Sequence, residues 1–552
     1  MSSALRVQIG TFNYNLQGTS AYAPDLSPWL VPTLSERSSQ YNASNPSEGR
    51  PAPDFYAVGF QELLPLDLGF AGKATQALSS TDTAIRRAIR PQSATTRSDG
   101  KYPPGGGPEN YALVARVQLV SIVLYVYARE RVDAGSHAPS IAQRVKEVRT
   151  STAAFGLLGL MGNKGATGVR VVLAGATPGS PDEVLTFVCA HLTAHDHNVA
   201  KRNADWRNIV QRLVFAPDAV QGLPSSSPSG PQGGGRAGDA NPDVDALSKQ
   251  YQAEKESSAK RSAEKATALD QQDHSIYDTS HLFVFGDLNY RIAFNTKPAA
   301  HLKADGEALK KSDIKRKVQQ ADWRTLAAYD QLSLEHRHPS GSRVFQGLVE
   351  PHLPTAGFGP TYKFKVDKSK RGKNAAQGDI DADEKSSQGA AAQPAQPQEL
   401  SGKRVPGWTD RILWLSLGTA ADEKTSDASS LHGVQTELYR SIMSYTHSDH
   451  KPVTAILRLP SPSRLAPGGE AALQPLKAPY PIDGAWRTKR LIGQTLDSLL
   501  GLVWSSLIAA GAGSLVTGLL ELAVIVALSA YWLSAGGGSR GDLGWILGGF
   551  AK

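Results

Sequence analysis

Five polar clusters stand where apolar runs of the chain end, and their residue types suit chemistry on phosphate. Thr11-Phe-Asn13-Tyr-Asn15 closes a run that begins at Leu5, and Gly59-Phe-Gln-Glu62 closes one that begins at Asp54. A glutamate leaving a buried strand offers a hard oxygen ligand to Mg²⁺, an ion that keeps several of its waters. Taken singly, such a glutamate is more often an ordinary loop carboxylate. His191-Leu-Thr-Ala-His195-Asp-His197 follows the run Val184–Ala190. Histidines four apart also fit zinc, but these leave a strand and no cysteine accompanies them, so a phosphate-contacting histidine is the expectation. In Gly286-Asp287-Leu-Asn289-Tyr-Arg291 the Asp can orient and deprotonate a water, and the Asn can hold a phosphoryl oxygen. In Ser448-Asp449-His450-Lys451 a carboxylate adjoins an imidazole and is expected to orient it over a phosphate.

The elements that must position these clusters alternate between strand and helix. Short apolar, β-branched runs predict strands at 5–12, 54–60, 111–117, 121–128, 166–173, 184–191, 281–286, 409–415 and 452–457, and a helical pattern covers 198–213. Such a mixture points to sheets covered by helices. Two stretches, 221–273 and 367–401, are rich in Ser, Gly, Pro, Ala and Lys without core periodicity, and read as disordered insertions in surface loops. The clusters on either side belong to one site, so residues 1–460 form one catalytic domain.

Of the 552 residues, 40% are hydrophobic and 20% charged, a globular balance, and the net charge of +8 suits an acidic partner without choosing one. Cys189 is the only cysteine, which excludes an intrachain disulfide and fits a reducing compartment. Its apolar neighbours mark it as a buried strand residue rather than a nucleophile. The first residues lack the basic patch and apolar core of a signal peptide. Residues 461–490 read as a linker, 491–534 as a hydrophobic membrane anchor and 535–552 as a short tail. Leu499–Leu520 is long enough for one crossing of about 20 residues. Arg487, Lys489 and Arg490 precede it on the expected cytosolic side. A hairpin turning near Gly511–Ser514 is the other form this segment can take.

The order of the clusters resembles the DNase I-like phosphoesterase superfamily. Further strings narrow it: Met161-Gly-Asn-Lys164-Gly, Pro360-Thr-Tyr362-Lys363-Phe, and Lys403-Arg404-Val-Pro-Gly-Trp408-Thr-Asp410-Arg-Ile-Leu413. With Gly286–Arg291 and Ser448–Val453 they are similar to the signature blocks of the inositol polyphosphate 5-phosphatases. The likeness spans residues 5–458 apart from the two insertions. One departure is Thr409, where the family usually has Cys or Ser.

The resemblance implies an α/β fold, a four-layer α/β/β/α sandwich of DNase I-like type, with a C-terminal transmembrane helix or hairpin added by the tail. It assigns the metal to Glu62 and Asn13, with Mg²⁺ as the cofactor. It assigns water activation to Asp287 with Asn289 beside it, and the scissile phosphate to His191 and His450, with Asp449 adjoining. Tyr362, Lys363 and Arg404 fall on positions that recognise a neighbouring 4-phosphate. Lys403 stands one position from the usual lysine, and Lys164 faces the head group. The expected activity is hydrolysis of the 5-phosphate of phosphatidylinositol 4,5-bisphosphate. The expected partners are a phosphoinositide lipid and a membrane, with no nucleic acid, and the subgroup resembled is anchored in the endoplasmic reticulum with its catalytic domain in the cytosol. A nuclease or a sphingomyelinase of the superfamily, and a catalytically inactive phosphoinositide-binding module, are the competing readings. The family-specific blocks and the filled catalytic positions weigh against them.

Overall fold

In the computed structural model the described residues are 4–18, 24–31, 52–90, 109–130, 139–176, 180–219, 271–294, 308–336, 343–351, 353, 358–366, 399–401, 404–416, 430–431, 433–460 and 477–509. Lys403, most of both expected insertions, residues 461–476 and residues 510–552 lie outside them.

The strands are β1 (Arg6–Asn13), β2 (Phe55–Gln61), β3 (Tyr111–Leu119), β4 (Ile122–Arg129), β5 (Val145–Ala154), β6 (Gly165–Leu173), β7 (Glu183–His191), β8 (His281–Asp287), β9 (Asp410–Ser416), β10 (Ser430–Leu431), β11 (Val434–Ser441) and β12 (Val453–Arg458). They form two sheets. The larger runs β10-β11-β12-β1-β2-β4-β3 and the smaller β5-β6-β7-β8-β9. Their inner faces meet through one apolar core that includes Val7, Ile9, Phe55, Leu124, Val171, Phe187, Phe283 and Phe285. The rings of Phe187 and Phe283 stack at 5.2 Å. Each fully buried Phe of this kind contributes roughly 1.5–3 kcal/mol by leaving water.

A helix covers the outside of each sheet. Helix Thr75–Ile89 buries Ala77, Leu78, Thr81, Ile85, Ala88 and Ile89, a three-to-four spacing that makes one apolar stripe. It packs on Tyr56, Val58, Phe60 and Tyr125 of the larger sheet. Helix Val199–Arg212 sets Trp206, Ile209 and Val210 on Val188, Val284 and Leu413 of the smaller one. The order is helix, sheet, sheet, helix, as expected.

Three strands have no counterpart in the sequence expectation: β5, β11 and the two-residue β10 that pairs with β11. β5 alternates charge and small residues, and β11 has few apolar residues; each leaves part of its length exposed. Neither carries the apolar run that marks a central strand.

The apolar run from Leu491 also differs from expectation. Its first part belongs to a helix, Trp486–Ala509, that lies on the catalytic domain. Arg487, Lys489, Arg490 and Asp497, with several Ser, Thr and Gly, dilute its hydrophobicity. Among the described residues no helix is long and apolar enough to cross a membrane. The rest of the expected span, the turn at Gly511–Ser514 and the tail fall outside the described residues.

Two short bridges close the necks of the long segments. Phe215 and His274 exchange backbone hydrogen bonds of 2.9 and 3.1 Å on either side of 220–270. Phe364 bridges Leu400 on either side of 367–398, with Ser401 N donating to the Lys363 carbonyl at 2.9 Å.

Candidate active site

Strand register gathers the polar clusters at one rim. In the smaller sheet β7 and β8 run parallel with His191 opposite Asp287, and antiparallel β9 sets Asp410 opposite Asp287. These three side chains therefore form a row. In the larger sheet β1 and β2 run parallel with Asn13 opposite Gln61, so Glu62 leaves at the same end. β12 pairs antiparallel with β1, Val453 opposite Thr11, which brings the loop before β12, and so His450, to Asn13. Gly286 permits the row to form. Its φ is +144°, and an added Cβ would stand 1.9 Å from the Ala190 carbonyl.

Asp287 is the hub. It is 2% exposed. Its Oδ2 accepts from Asn13 Nδ2 at 3.0 Å, a bond that joins the rims of the two sheets. The same oxygen is 3.3 Å from His191 Nε2 and 3.9 Å from His450 Nε2. Its Oδ1 accepts from the Asn289 backbone at 3.1 Å. Burial opposes its charge, but His450, the His191 hydrogen bond and Lys164 outweigh burial and hold the carboxyl far below the usual range. It is ionised at any working pH.

His450 is held by Asp410. The imidazole Nδ1 meets Asp410 Oδ2 at 2.9 Å, and Thr361 and Thr409 hydroxyls donate to that oxygen at 2.7 and 2.9 Å. Burial disfavours the imidazolium, yet Asp410 and Asp287 push its pKa up to about 9. Tyr362 packs on the ring at 4.6 Å. Here the structure corrects the expectation. Asp449, the neighbour of His450 in sequence, forms an ion pair with Lys363 Nζ instead. Residues 447–449 bend just before the isolated bridge at His450, so neighbours in sequence meet different partners and the carboxylate that orients His450 comes from another strand. Asp410 was missed as a site residue for that reason. The signal was its place in the Trp408-Thr-Asp410-Arg block at the mouth of a buried strand.

Of the three histidines at and beyond the end of β7, only His191 enters the site. His195 and His197 are exposed, with their rings 6.0 Å apart. The intervening Asp196 pairs with Arg291 at 3.3 Å. Arg291 in turn donates to Asn289 Oδ1 at 2.8 Å and lies over the Tyr362 ring at 4.7 Å. Asn289 Nδ2 donates to the Leu192 carbonyl at 3.1 Å. Asn289 is thus fixed at both ends of its amide. Lys164 Nζ contacts His191 Nε2. Burial lowers the Lys164 pKa, against the pull of Asp287 and Glu62.

Lys363 and Arg404 form the open, basic side. Lys363 is half-buried; burial works against its charge, but Asp449 raises its pKa overall. Arg404 is exposed, and its charge acts on both Lys363 and His195. Cys189 is sealed between the sheets, where burial pushes its thiol up to about 12 and it accepts from Gln61 Nε2 at 3.2 Å. It is not a nucleophile.

Among the described residues, ligand atoms of Asp287, Asp410 and His450 come within 4.8 Å of one another, close enough to hold a metal. Glu62, on a residue with φ +50°, turns a one-third exposed carboxylate toward this group, 3.9 Å from His191 Nε2. Asp410 Oδ1 is buried without a hydrogen-bond donor. Oxygen ligands dominate and no thiol is within reach, a donor set for a hard divalent cation rather than for zinc.

A two-sheet sandwich with acid, amide and imidazole at one rim defines the class as a phosphoesterase fold. The family model "Endonuclease/Exonuclease/phosphatase family 2" matches residues 10–456. Human synaptojanin-2 is 24% identical over 475 residues, 82% of this chain and 22% of that protein. Mouse type II inositol 1,4,5-trisphosphate 5-phosphatase is 26% identical over 451 residues, 82% of this chain and 29% of that protein. The chain thus matches less than a third of the length of these relatives. Among solved structures, the inositol polyphosphate 5-phosphatase domain of SPsynaptojanin, in complex with inositol (1,4)-bisphosphate and calcium ion, is 20% identical with a TM-score of 0.45, covering 82% of this chain and 84% of that one. The chain belongs to endonuclease/exonuclease/phosphatase family 2.

Proposed function

We propose that the chain hydrolyses the 5-phosphate of phosphatidylinositol 4,5-bisphosphate, leaving phosphatidylinositol 4-phosphate. The observation that carries this reading is the meeting of an ionised, sealed Asp287 with two imidazoles, beside an open wall of Lys363 and Arg404. The first set suits transfer of a phosphoryl group to water, and the second suits a neighbouring phosphate.

Each residue has a task. Asp287 orients the attacking water and accepts its proton. A carboxylate of such low basicity takes that proton late, once the new P–O bond has made the water acidic; this suits a loose transition state. Asn289, fixed by Arg291 and the Leu192 carbonyl, keeps its position beside that water. His450, cationic because of Asp410, and His191 supply donors to the phosphoryl oxygens. Glu62, with Asn13 next to it, would hold the Mg²⁺, which when bound offsets negative charge on the transferring phosphoryl group. Tyr362, Lys363 and Arg404 read the 4-phosphate through charge-assisted bonds worth roughly 1.5–3 kcal/mol each. Lys164 faces the head group from the opposite wall. A catalytic domain facing the cytosol, held at the endoplasmic reticulum by residues beyond 509, completes the reading.

The test is phosphate release by the full chain in mixed micelles with Mg²⁺. Phosphatidylinositol 4,5-bisphosphate should turn over faster than the 5-phosphate alone, and the 4-phosphate should not turn over. Absence of turnover of every inositide by the folded protein would overturn the assignment.

A further inference from the structure

The helix Trp486–Ala509 is docked inside out. Trp486, Arg490, Gly493, Asp497 and Gly501 recur at three-to-four spacing and face the catalytic domain. Trp486 packs on Val214 and Ala216. Arg490 donates to Ser151 Oγ at 2.6 Å, and Asp497 accepts from the Gly162 backbone at 3.1 Å. A Cβ at Gly493 would stand 2.3 Å from the Leu160 carbonyl, and one at Gly501 would stand 2.1 Å from the Phe70 carbonyl. The opposite face carries Leu491, Ile492, Leu499, Leu502 and Val503, all exposed. An ordinary surface helix puts its apolar stripe on the core and its polar stripe in water. Here polar and small residues hold the domain, and the apolar side points away.

We propose that this outward face lies in the head-group and acyl-chain boundary of a lipid bilayer, and that the docked stripe fixes the catalytic domain to the membrane in one orientation. Three observations choose lipid over another occupant. The sequence continues from the helix into a further apolar run through Leu533. Leu157 and Leu158, 60% and 73% exposed, stand in the same turn that Asp497 grips through Gly162, so apolar side chains project from both parts of this docking region. Among the described residues no helix is long and apolar enough to span, whereas a helix with one exposed apolar face suits the interface. The proposal rests on the reading of a lipid head group as substrate. It adds that the membrane segment is a rigid strut and not a flexible tether.

The buried Cys189 leaves a new surface cysteine free to be labelled alone. An environment-sensitive fluorophore is placed at Leu491→Cys or at Leu502→Cys of the full chain, in vesicles of phosphatidylcholine and phosphatidylserine with brominated acyl chains. A helix lying flat gives a blue shift and similar quenching at both positions. An upright helix would separate them by about 16 Å along the bilayer normal, from its rise per residue. Steep quenching at 502 with none at 491, or none at either, overturns the proposal; the second result is what a second copy or the chain's own apolar run would give by covering the face. Gly501→Leu, which collides with Phe70, is expected to abolish the level placement. Unchanged quenching in that variant would show that the stripe does not hold the helix. The vesicles contain no inositide, so these outcomes stand apart from success or failure of the phosphatase assay.

Discussion

Each sheet has a parallel strand pair whose ends carry polar side chains, yet the two ends are built differently. In the smaller sheet His191, Asp287 and Asp410 are 2% exposed or less, and each meets a charged neighbour. In the larger sheet Asn13 is as deeply buried, but Glu62 keeps a third of its side chain open. The sealed row gains strong, fixed electrostatics, because charges at low dielectric act on one another with little screening. The open carboxylate gains exchange with solvent, which an ion ligand needs. The Asn13–Asp287 bond couples the two, so the fixed end aligns the exchangeable one.

The largest effect should come from breaking the sealed row at its hub. Asp287→Ala is expected to lower phosphate release about 10³-fold or more, measured at saturating Mg²⁺. Asp410→Asn should cost about 10²-fold and also change the pH profile. His450 has a raised pKa, so the imidazolium contributes in full below its ordinary value near 6.5 and is lost as pH rises through about 9. Wild-type activity should fall on the alkaline side near 9; in Asp410→Asn that limb should move toward 6.5. The same sign holds for stability, as favourable pairing of His450 fades above pH 9. An unmoved limb would mean that Asp410 does not set the charge of His450.

Glu62→Gln sharpens the contrast from the other side. It should raise the Mg²⁺ concentration for half-maximal rate about tenfold while leaving the melting temperature nearly unchanged, because a third of the side chain is open to solvent. A large loss of stability would show that Glu62 belongs with the sealed row. The smallest effect is expected at His195→Ala: less than about 0.5 kcal/mol in stability and little change in turnover. A zinc-type role for the three-histidine string would instead abolish activity there.

Much of this site was legible because chemistry accumulates at strand ends, and strand ends are visible as the close of apolar runs. His191, Asp287 and Asn289 follow that logic, and His450 stands just before the apolar run of β12. Asp410 did not, because its partner lies on a different strand and only register makes them neighbours. Adjacency in sequence favoured Asp449, which the bend at 447–449 turns toward Lys363. The four layers could be inferred from strands and helices in mixture, but β5 and β11 are hidden by their half-wet faces. The helix at 486–509 spans the end of the expected linker and the start of the expected anchor, because hydrophobicity averages over a helix, whereas docking depends on which residues share a face.

The bridge at Phe215 and His274 has a practical consequence. A chain excursion tied at its neck can change length at a cost that grows only with the logarithm of its size, about 0.6 kcal/mol per doubling. The 220–270 segment is therefore a natural insertion port, where a reporter domain or affinity handle can be spliced without retuning the enzyme. The neck at Phe364 and Leu400 is a poor choice for the same purpose. It adjoins Lys363, so any cargo carried there would be felt by the basic wall proposed to read the substrate.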